Sequence, residues 1–172
     1  MRYKLAVLTI PIFVIIIYFL YSGLNKDPTH IPSPLLGKLV PEFSSTTLFD
    51  NKVITNKNLL GKPYILNVWG SWCYGCSLEH NLLIDIYNTG TIDIYGLNYK
   101  DNKINAMEWL KNKGNPYRKI IFDNDGSIAI DFGVYGAPET FLVNKNGIII
   151  HKYVGPIDQN YYNDVLLPNI KK

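Results

Sequence analysis

A run of six mostly apolar residues is followed by two cysteines and then by the pattern of an amphipathic helix. Tyr64–Trp69 is interrupted only by Asn67, which is typical of a buried central strand. Cys73 and Cys76, the only cysteines of the chain, follow at once, and apolar residues then recur at helical spacing until Gly90. The segment therefore predicts a strand that leads directly into a helix, with both thiols where that helix begins.

The rest of the chain continues this alternation of strands and helices. Short strands at 42–48 and 53–54 are predicted to form a hairpin before the apolar run. Further along, we predict strands at 92–98, 119–122, 140–143 and 148–153 and helices at 104–112, 127–132 and 159–170. In the helix at 104–112, the spacing directs Ile104, Met107 and Leu110 inward. Alternating strands and helices predict an α/β fold.

The N-terminal segment has a sequence pattern typical of a membrane-spanning helix. Leu5–Tyr21 is almost entirely apolar, which is longer than the roughly 7 to 15 residues of a cleaved signal peptide's core. Bulky residues at Tyr18–Tyr21 stand where a cleavage site needs small ones, so an uncleaved anchor is favoured over a cleaved signal. Because Arg2 and Lys4 precede the run, the positive-inside rule places the following domain across the membrane.

Several prolines and little periodicity mark the segment after the apolar run, as expected for an extended linker. These prolines are Pro28, Pro32, Pro34 and Pro41. We therefore divide the chain into an anchor at 1–24, a linker at 25–37 and one domain at 38–172. The formal net charge is +3. Two basic residues precede the apolar run, so the remainder is nearly neutral and no nucleic-acid partner is expected.

The cysteine pair suggests dithiol chemistry. A helix N-terminus presents free N–H groups and positive partial charge, which lower the pKa of a thiol placed there. We expect Cys73 to be the outward-facing nucleophile and Cys76 the more buried, protonated resolving thiol. A disulfide bond that closes so short a loop adds little stability, so a purely structural role for the pair is disfavoured. Trp72 fits either a core position or a flat apolar surface for a peptide.

Metal binding is the competing interpretation of the pair. A structural zinc site needs four ligands, and only His30, His80 and His151 remain as candidates. A copper or zinc centre built from Cys73, Cys76 and His80 is the form that ligand counting allows. We expect His80 to be a surface or capping residue.

Several motifs occur in the order seen in a known family. The segment from Asn67 to Cys76, followed by Pro138 at the head of a hairpin strand, resembles the thioredoxin superfamily. Gly96–Asp101, Gly114–Tyr117 and Gly133–Leu142 resemble the periplasmic cytochrome c maturation oxidoreductases of the CcmG or DsbE type. The likeness covers residues 38–168 and the anchor.

The resemblance implies a thioredoxin-like α/β fold, with a central mixed sheet flanked by helices, an N-terminal hairpin extension and one preceding transmembrane helix. It also implies that Pro138 is cis and packs against the cysteines. The expected substrate groove comprises Trp72, Tyr74, Ala137 and Pro138. Acidic charge near this groove, which would tune the cysteine pair, is expected from Glu79 and Glu139.

The implied activity is reduction of the haem-binding cysteines of apocytochrome c, or of a cytochrome c assembly thiol protein. Electrons would come from a membrane thiol carrier, with the protein held in the bacterial inner membrane by its single N-terminal helix and its domain in the periplasm. No cofactor is expected beyond the Cys73–Cys76 pair. The alternatives are a general periplasmic disulfide reductant or oxidant, and a copper-delivery protein.

The sequence departs from the family pattern at two places. Tyr74-Gly75 stands between the cysteines where relatives often carry Pro-Thr. Asn67 stands where thioredoxin has a buried aspartate, and an amide cannot take up the proton of Cys76. Glu79, one helical turn after Cys76, is our candidate acceptor, and a solvated helix charge is the alternative.

Overall fold

The structure, a computed structural model, describes the backbone of residues 2–24 and 34–170. Side chains are described for residues 10–23 and 34–170. The chain divides into two units, Met1–His30 and Ile31–Lys172.

The first unit contains the helix α1, Arg2–Leu24, so the predicted N-terminal helix is present. Its large apolar side chains from Ile10 to Tyr21 are exposed. Among the described residues, no helix combines the length and the apolarity that crossing a membrane requires. Most of the predicted linker at 25–37 lies outside the described residues.

The second unit is built on one mixed sheet, and its described residues contain seven strands. These are β1 (Ser44–Thr47), β2 (Val53–Thr55), β3 (Tyr64–Trp69), β4 (Asp93–Tyr99), β5 (Lys119–Asp123), β6 (Glu139–Val143) and β7 (Ile149–Val154). Their order across the sheet is β2-β1-β5-β4-β3-β6-β7. Strand β3 runs parallel to β4 and antiparallel to β6. The predicted N-terminal hairpin, β1 and β2, extends the sheet at the β5 edge.

Helices follow the strands as the sequence predicted. They are α2 (Tyr74–Thr89), α3 (Lys103–Lys113), α4 (Ser127–Asp131), α5 (Gln159–Tyr161) and α6 (Leu167–Ile170). A 3-10 turn, Asn56–Leu59, precedes β3, and a π-helical turn, Tyr162–Leu166, joins α5 to α6. The predicted helix at 159–170 is therefore present, with one wider turn inside it.

The central strand β3 separates two apolar cores. Ile65 and Trp69 pack on the side that also holds Leu83 of α2, whereas Leu66 and Val68 pack on the opposite side. Because successive side chains of a strand point to opposite faces, a strand covered on both faces must be apolar throughout. This explains why the run is apolar apart from Asn67, and it places the end of β3, where the cysteines follow, inside the molecule.

One predicted core residue is wrong. Ile104 is exposed, whereas Leu110 is buried as predicted, Met107 packs against the core, and α3 also buries Ala106. Ala106 and Leu110 are four residues apart and share one face of the helix, while Ile104 projects from the other side. The predicted inward side of α3 is therefore right at Met107 and Leu110 and wrong at Ile104.

Candidate active site

The two cysteines form a disulfide where α2 begins. Cys73 is the N-cap residue of α2, and its Sγ accepts a hydrogen bond of 3.0 Å from the backbone N–H of Cys76. That N–H and the positive end of the helix stabilise negative charge on the sulfur. The local geometry therefore favours Cys73 as the thiol that ionises.

Both cysteines are buried in this oxidised form, Cys73 being 4% and Cys76 2% exposed. The expectation that Cys73 faces outward is wrong for the disulfide, because the bond to Cys76 draws its Sγ over the first turn of α2. The neighbouring aromatic rings are exposed instead, Trp72 by 54% and Tyr74 by 79%. The indole N–H of Trp72 donates to the carbonyl of Lys100 at 3.1 Å. Trp72 is therefore a surface residue rather than a core residue.

Pro138 lies against the first turn of α2. The Ala137–Pro138 peptide bond is cis, as the resemblance implied, and Pro138 is buried while Ala137 is half-buried. A β-carbon added to Gly75 would lie 2.8 Å from Pro138 Cδ. Glycine between the cysteines thus permits the close approach of the proline ring.

The turn before Cys73 is held by a residue that sequence reasoning missed. The carboxylate of Asp101 accepts hydrogen bonds from the backbone N–H of Ser71 at 2.6 Å and from its hydroxyl at 2.7 Å. It also accepts from Asn98 Nδ2 at 2.9 Å and from the N–H of Asn102 at 2.7 Å. A signal was present, because Asp101 lies two residues after the end of β4, a buried strand parallel to β3, at the sheet edge where the cysteines begin. Asp101 anchors the loop that carries the nucleophile.

Glu79 lies in a buried network beneath the disulfide turn. Its Oε1 accepts a hydrogen bond from Asn67 Nδ2 at 2.8 Å, and its Oε2 accepts from the backbone N–H of Ile157 at 2.8 Å. Asn67 also donates to the Thr140 hydroxyl at 3.1 Å and accepts from the Tyr117 hydroxyl at 2.9 Å. Every polar group of the Asn67 side chain therefore helps to orient Glu79 or its neighbours.

Burial raises the pKa of Glu79 to about 7, although its hydrogen bonds from Ile157 and Asn67 oppose the shift. Of the two interpretations of this residue, a solvated helix charge is wrong. A carboxyl group that titrates near neutral pH, one turn after Cys76, has the proton affinity that an acceptor for a thiol proton needs. That role stays a prediction.

Comparison with known proteins agrees with this geometry. The Redoxin family model matches residues 35–166 of the chain. The thiol:disulfide interchange protein DsbE of Pseudomonas aeruginosa is 45% identical over 168 residues, which cover 96% of this chain and 93% of that protein. The chain belongs to the redoxin family.

Other relatives of this redoxin support the same assignment. DsbE of Escherichia coli K12 is 42% identical over 146 residues, covering 84% of this chain and 78% of that protein. A secreted thiol-disulfide isomerase from Corynebacterium glutamicum superposes with a TM-score of 0.70 at 22% identity, covering 86% of this chain and 96% of that one, which shows a shared fold. The predicted thioredoxin-like fold and the predicted resemblance to DsbE are confirmed. The protein is a thiol-disulfide oxidoreductase.

The second acidic residue of this redoxin's predicted groove, Glu139, is buried in an ion pair. Its Oε2 lies 3.0 Å from Lys152 Nζ, and its Oε1 accepts a hydrogen bond from the backbone N–H of Tyr135 at 2.7 Å. The charge of Glu139 is therefore directed at Lys152 on β7. Its predicted influence on the cysteine pair stays a prediction.

Of the two positions predicted for His80, surface or capping, the surface is wrong because His80 is buried, and its contact is with Gly114, the C-cap residue of α3. Its ring packs edge-on against Trp109 with centroids 4.5 Å apart, and its Nε2 lies 3.1 Å from the carbonyl oxygen of Gly114. Burial lowers the pKa of His80. Because a carbonyl only accepts, Nε2 must carry the proton that it donates to Gly114. The copper alternative, which needs His80 as a ligand, stays a prediction.

Gly75→Ala is expected to lower the free energy of unfolding by about 1 to 2 kcal/mol. The added methyl group would overlap Pro138 Cδ, and overpacking typically costs about 1 to 3 kcal/mol. That exceeds the gain in helix propensity, which is at most about 1 kcal/mol. Urea unfolding of the oxidised protein measures the change. Gly136→Ala is the matched control, because a β-carbon there meets nothing within 4 Å. Equal effects of the two substitutions would reject the steric explanation.

Proposed function

We propose that this redoxin is a membrane-anchored periplasmic reductant that keeps the haem-binding cysteines of apocytochrome c, or of a thiol protein of cytochrome c assembly, in the dithiol form. The observation that carries the chemistry is the hydrogen bond from the Cys76 N–H to Cys73 Sγ at the start of α2. It favours a Cys73 thiolate next to exposed aromatic rings on which a partner polypeptide can lie.

The reaction is two successive exchanges. The Cys73 thiolate attacks one sulfur of the partner disulfide, a Cys73–partner bond forms, and the partner's other sulfur leaves as a thiolate. Cys76 then loses its proton and attacks Cys73, which forms the Cys73–Cys76 disulfide and releases the second partner sulfur. Two electrons pass to the partner, and this exchange needs no cofactor beyond the cysteine pair. A membrane thiol donor restores the dithiol by the reverse exchange.

Glu79 takes up the proton of Cys76 in this scheme. Supporting this role are its burial, its pKa of about 7 and its place one turn after Cys76 on the buried face of α2. Asn67 lies at the buried position that an acid occupies in thioredoxin and is already committed to hydrogen bonds with Glu79 and Tyr117. Glu79 therefore supplies the proton acceptor that Asn67 does not.

The choice of apocytochrome c rests on family likeness. Identity of 45% to the P. aeruginosa DsbE extends over 96% of the chain, and the motifs quoted above lie around the disulfide. The proposed anchor rests on the apolar run Leu5–Tyr21 behind Arg2 and Lys4. With it we propose a linker at 25–37 and a periplasmic domain at 38–172.

Deletion of the gene is expected to abolish holocytochrome c, as read by haem staining of membrane proteins. External dithiothreitol should partly restore it, because any reductant of the apocytochrome disulfide bypasses the protein. A gene copy carrying Cys73→Ser should fail to complement, whereas an Asp131→Asn copy, altered at an exposed carboxylate of α4, should succeed. Normal holocytochrome c in the deletion strain would reject the proposed substrate and leave the exchange chemistry standing.

A further inference from the structure

A buried lysine lies behind the substrate groove. The side chain of Lys152, on β7, is only 2% exposed, and that of its partner Glu139 is fully buried. Lys152 Nζ also donates a hydrogen bond of 2.7 Å to the carbonyl of Gly133. The same ammonium lies 4.6 Å from the ring centroid of Tyr135 and 5.3 Å from that of Phe141. The cation is thus surrounded by specific partners.

These partners hold the segment Gly133–Pro138, which we call the groove loop. Gly133 begins the loop, Tyr135 lies in its middle, and Glu139 follows its last residue. Glu139 Oε1 accepts a hydrogen bond from the backbone N–H of Tyr135. The ion pair is therefore connected to the middle of the loop as well as to its end. The last residue of the loop, Pro138, is tied to the end of β7 by a separate bond of 2.9 Å from the N–H of Gly155 to its carbonyl.

The groove loop contacts the redox centre at one end and solvent in its middle. Pro138 packs on Gly75 between the cysteines. Tyr135, three residues before Pro138, is exposed, as are the rings of Trp72 and Tyr74 beside the cysteines. A shift of the groove loop would change how a polypeptide lies over Cys73 without moving Cys73 itself.

Stability alone is a poor reason for such an ion pair. Removing two charges from water is expensive, and buried pairs replaced by well-packed apolar residues are often no less stable. What a buried pair with additional hydrogen bonds does supply is one defined geometry. Lys152 and its partners constrain the backbone at Gly133, at Tyr135 and at Glu139.

We propose that Lys152 is a positioning residue of this oxidoreductase, which holds the groove loop in the conformation that accepts a polypeptide disulfide. The inference rests on the proposed exchange at Cys73. It assigns Lys152 no part in bond making or breaking. It therefore predicts a defect with polypeptide substrates and none with a disulfide too small to reach the loop.

The test compares two probes with the reduced full-length protein. One is an oxidised peptide containing Cys-x-x-Cys-His, the haem-attachment pattern, and the other is hydroxyethyl disulfide. In Lys152→Met, the second-order rate constant for the peptide should fall by about 10- to 100-fold, the loss typical of misplaced substrates. The rate constant for hydroxyethyl disulfide and the equilibrium constant with glutathione should stay within about twofold, since the substitution alters neither cysteine, and Pro138 beside them keeps its separate bond from Gly155. Lys145→Met, an exposed lysine on the same hairpin, is the matched control.

Stability is separated from positioning by a second variant. Lys152→Met leaves Glu139 buried and unpaired, so the double substitution Glu139→Gln with Lys152→Met is measured beside it. The double variant should regain thermal stability but keep the peptide defect, because Gly133 still lacks its donor. Equal losses with both probes, no loss with either, or failure of both variants to fold would show that Lys152 is structural and overturn the inference.

An unrelated disulfide peptide without the histidine is the third probe. If Lys152→Met slows this peptide as much as the haem-pattern peptide, Lys152 positions polypeptides in general and the inference stands. If the wild-type protein also reduces both peptides equally fast, the preference for apocytochrome c loses support while the role of Lys152 remains. A failure of the role proposed for Lys152 and a failure of the proposed function therefore give different results.

Discussion

Cys73→Ser is expected to lower the rate of disulfide exchange by at least about a thousandfold, because the only remaining thiol, Cys76, is buried in the first turn of α2 and is not its N-cap residue. Cys76→Ser should behave differently. Its Cys73 still attacks a partner disulfide, but the reaction stops at the mixed disulfide because no resolving thiol is present. Each substitution replaces one sulfur atom with oxygen, and the two positions are one helical turn apart. The difference between the two variants therefore reports the environment of each sulfur.

Mass spectrometry after mixing each reduced variant with an oxidised peptide measures the adduct. Accumulation on Cys76→Ser and not on Cys73→Ser is the expected result, and the reverse pattern would assign the nucleophile to Cys76. Alanine variants at both positions control for any hydrogen bond made by the serine hydroxyl. When Cys76→Ser is expressed in cells, a narrow set of trapped cytochrome assembly partners supports the proposed function. A broad set favours the general periplasmic oxidoreductase.

Glu79→Gln is expected to remove a large pH dependence of stability. Because burial raises the folded-state pKa of Glu79 from an ordinary 4.5 to about 7, the folded protein binds a proton that the unfolded chain has already released between these values. Stability from this group is complete below pH 4.5 and is lost as pH rises to about 7. A shift of this size corresponds to about 3 kcal/mol.

The difference in unfolding free energy between wild type and Glu79→Gln isolates this effect, because other titrating groups are common to both proteins. From pH 4.5 to pH 8, the difference should move by about 3 kcal/mol in favour of the variant. At low pH the two should be similar, since protonated Glu79 and glutamine are both neutral and each keeps a carbonyl oxygen that accepts from Asn67 or Ile157. Glu108→Gln, at an exposed position of α3, is the control and should show no such movement.

The same substitution should slow the second exchange step by about 100-fold, the usual contribution of a positioned proton acceptor. The first step, attack by Cys73, should be unaffected. Quenched-flow measurement of mixed-disulfide decay separates the two steps, and in wild type the decay rate should rise through about pH 7. An unchanged decay rate and pH profile in Glu79→Gln would leave Glu79 as a buried structural acid and require another acceptor for Cys76.

Much of the fold could be predicted because it depends on local pattern. Apolar Tyr64–Trp69 had to be a strand covered on both faces, and the glycine at 90 had to end the following helix, where the structure finds it in the left-handed region. Prediction failed where a helix face was judged from hydrophobicity alone. Ile104 is apolar and exposed, whereas His80 is polar and buried on α2. His80 Nε2 is paired with the carbonyl of Gly114, 34 positions away, and periodicity carries no information about such a partner.

The candidate site, too, could be predicted only in part from the sequence. The cysteine pair and its place at a helix N-terminus follow from residues within one short segment. Asp101, by contrast, reaches Ser71 across 30 positions, and Ile157 reaches Glu79 across 78. Lys152 was not singled out from the sequence because a lysine in a strand near the C-terminus is ordinarily a solvated charge.

What the sequence by itself determined is the chemistry: two thiols, one turn apart, at the start of a helix that follows a buried strand. What only the tertiary structure decided is the environment that controls those thiols. The pKa of Glu79, the anchoring of the Ser71 turn and the placement of the groove loop all depend on hydrogen bonds between residues far apart in the chain. Such bonds form only when the sheet brings its strands side by side, because burial gives a polar group a strong preference for a partner whose position the local sequence does not specify.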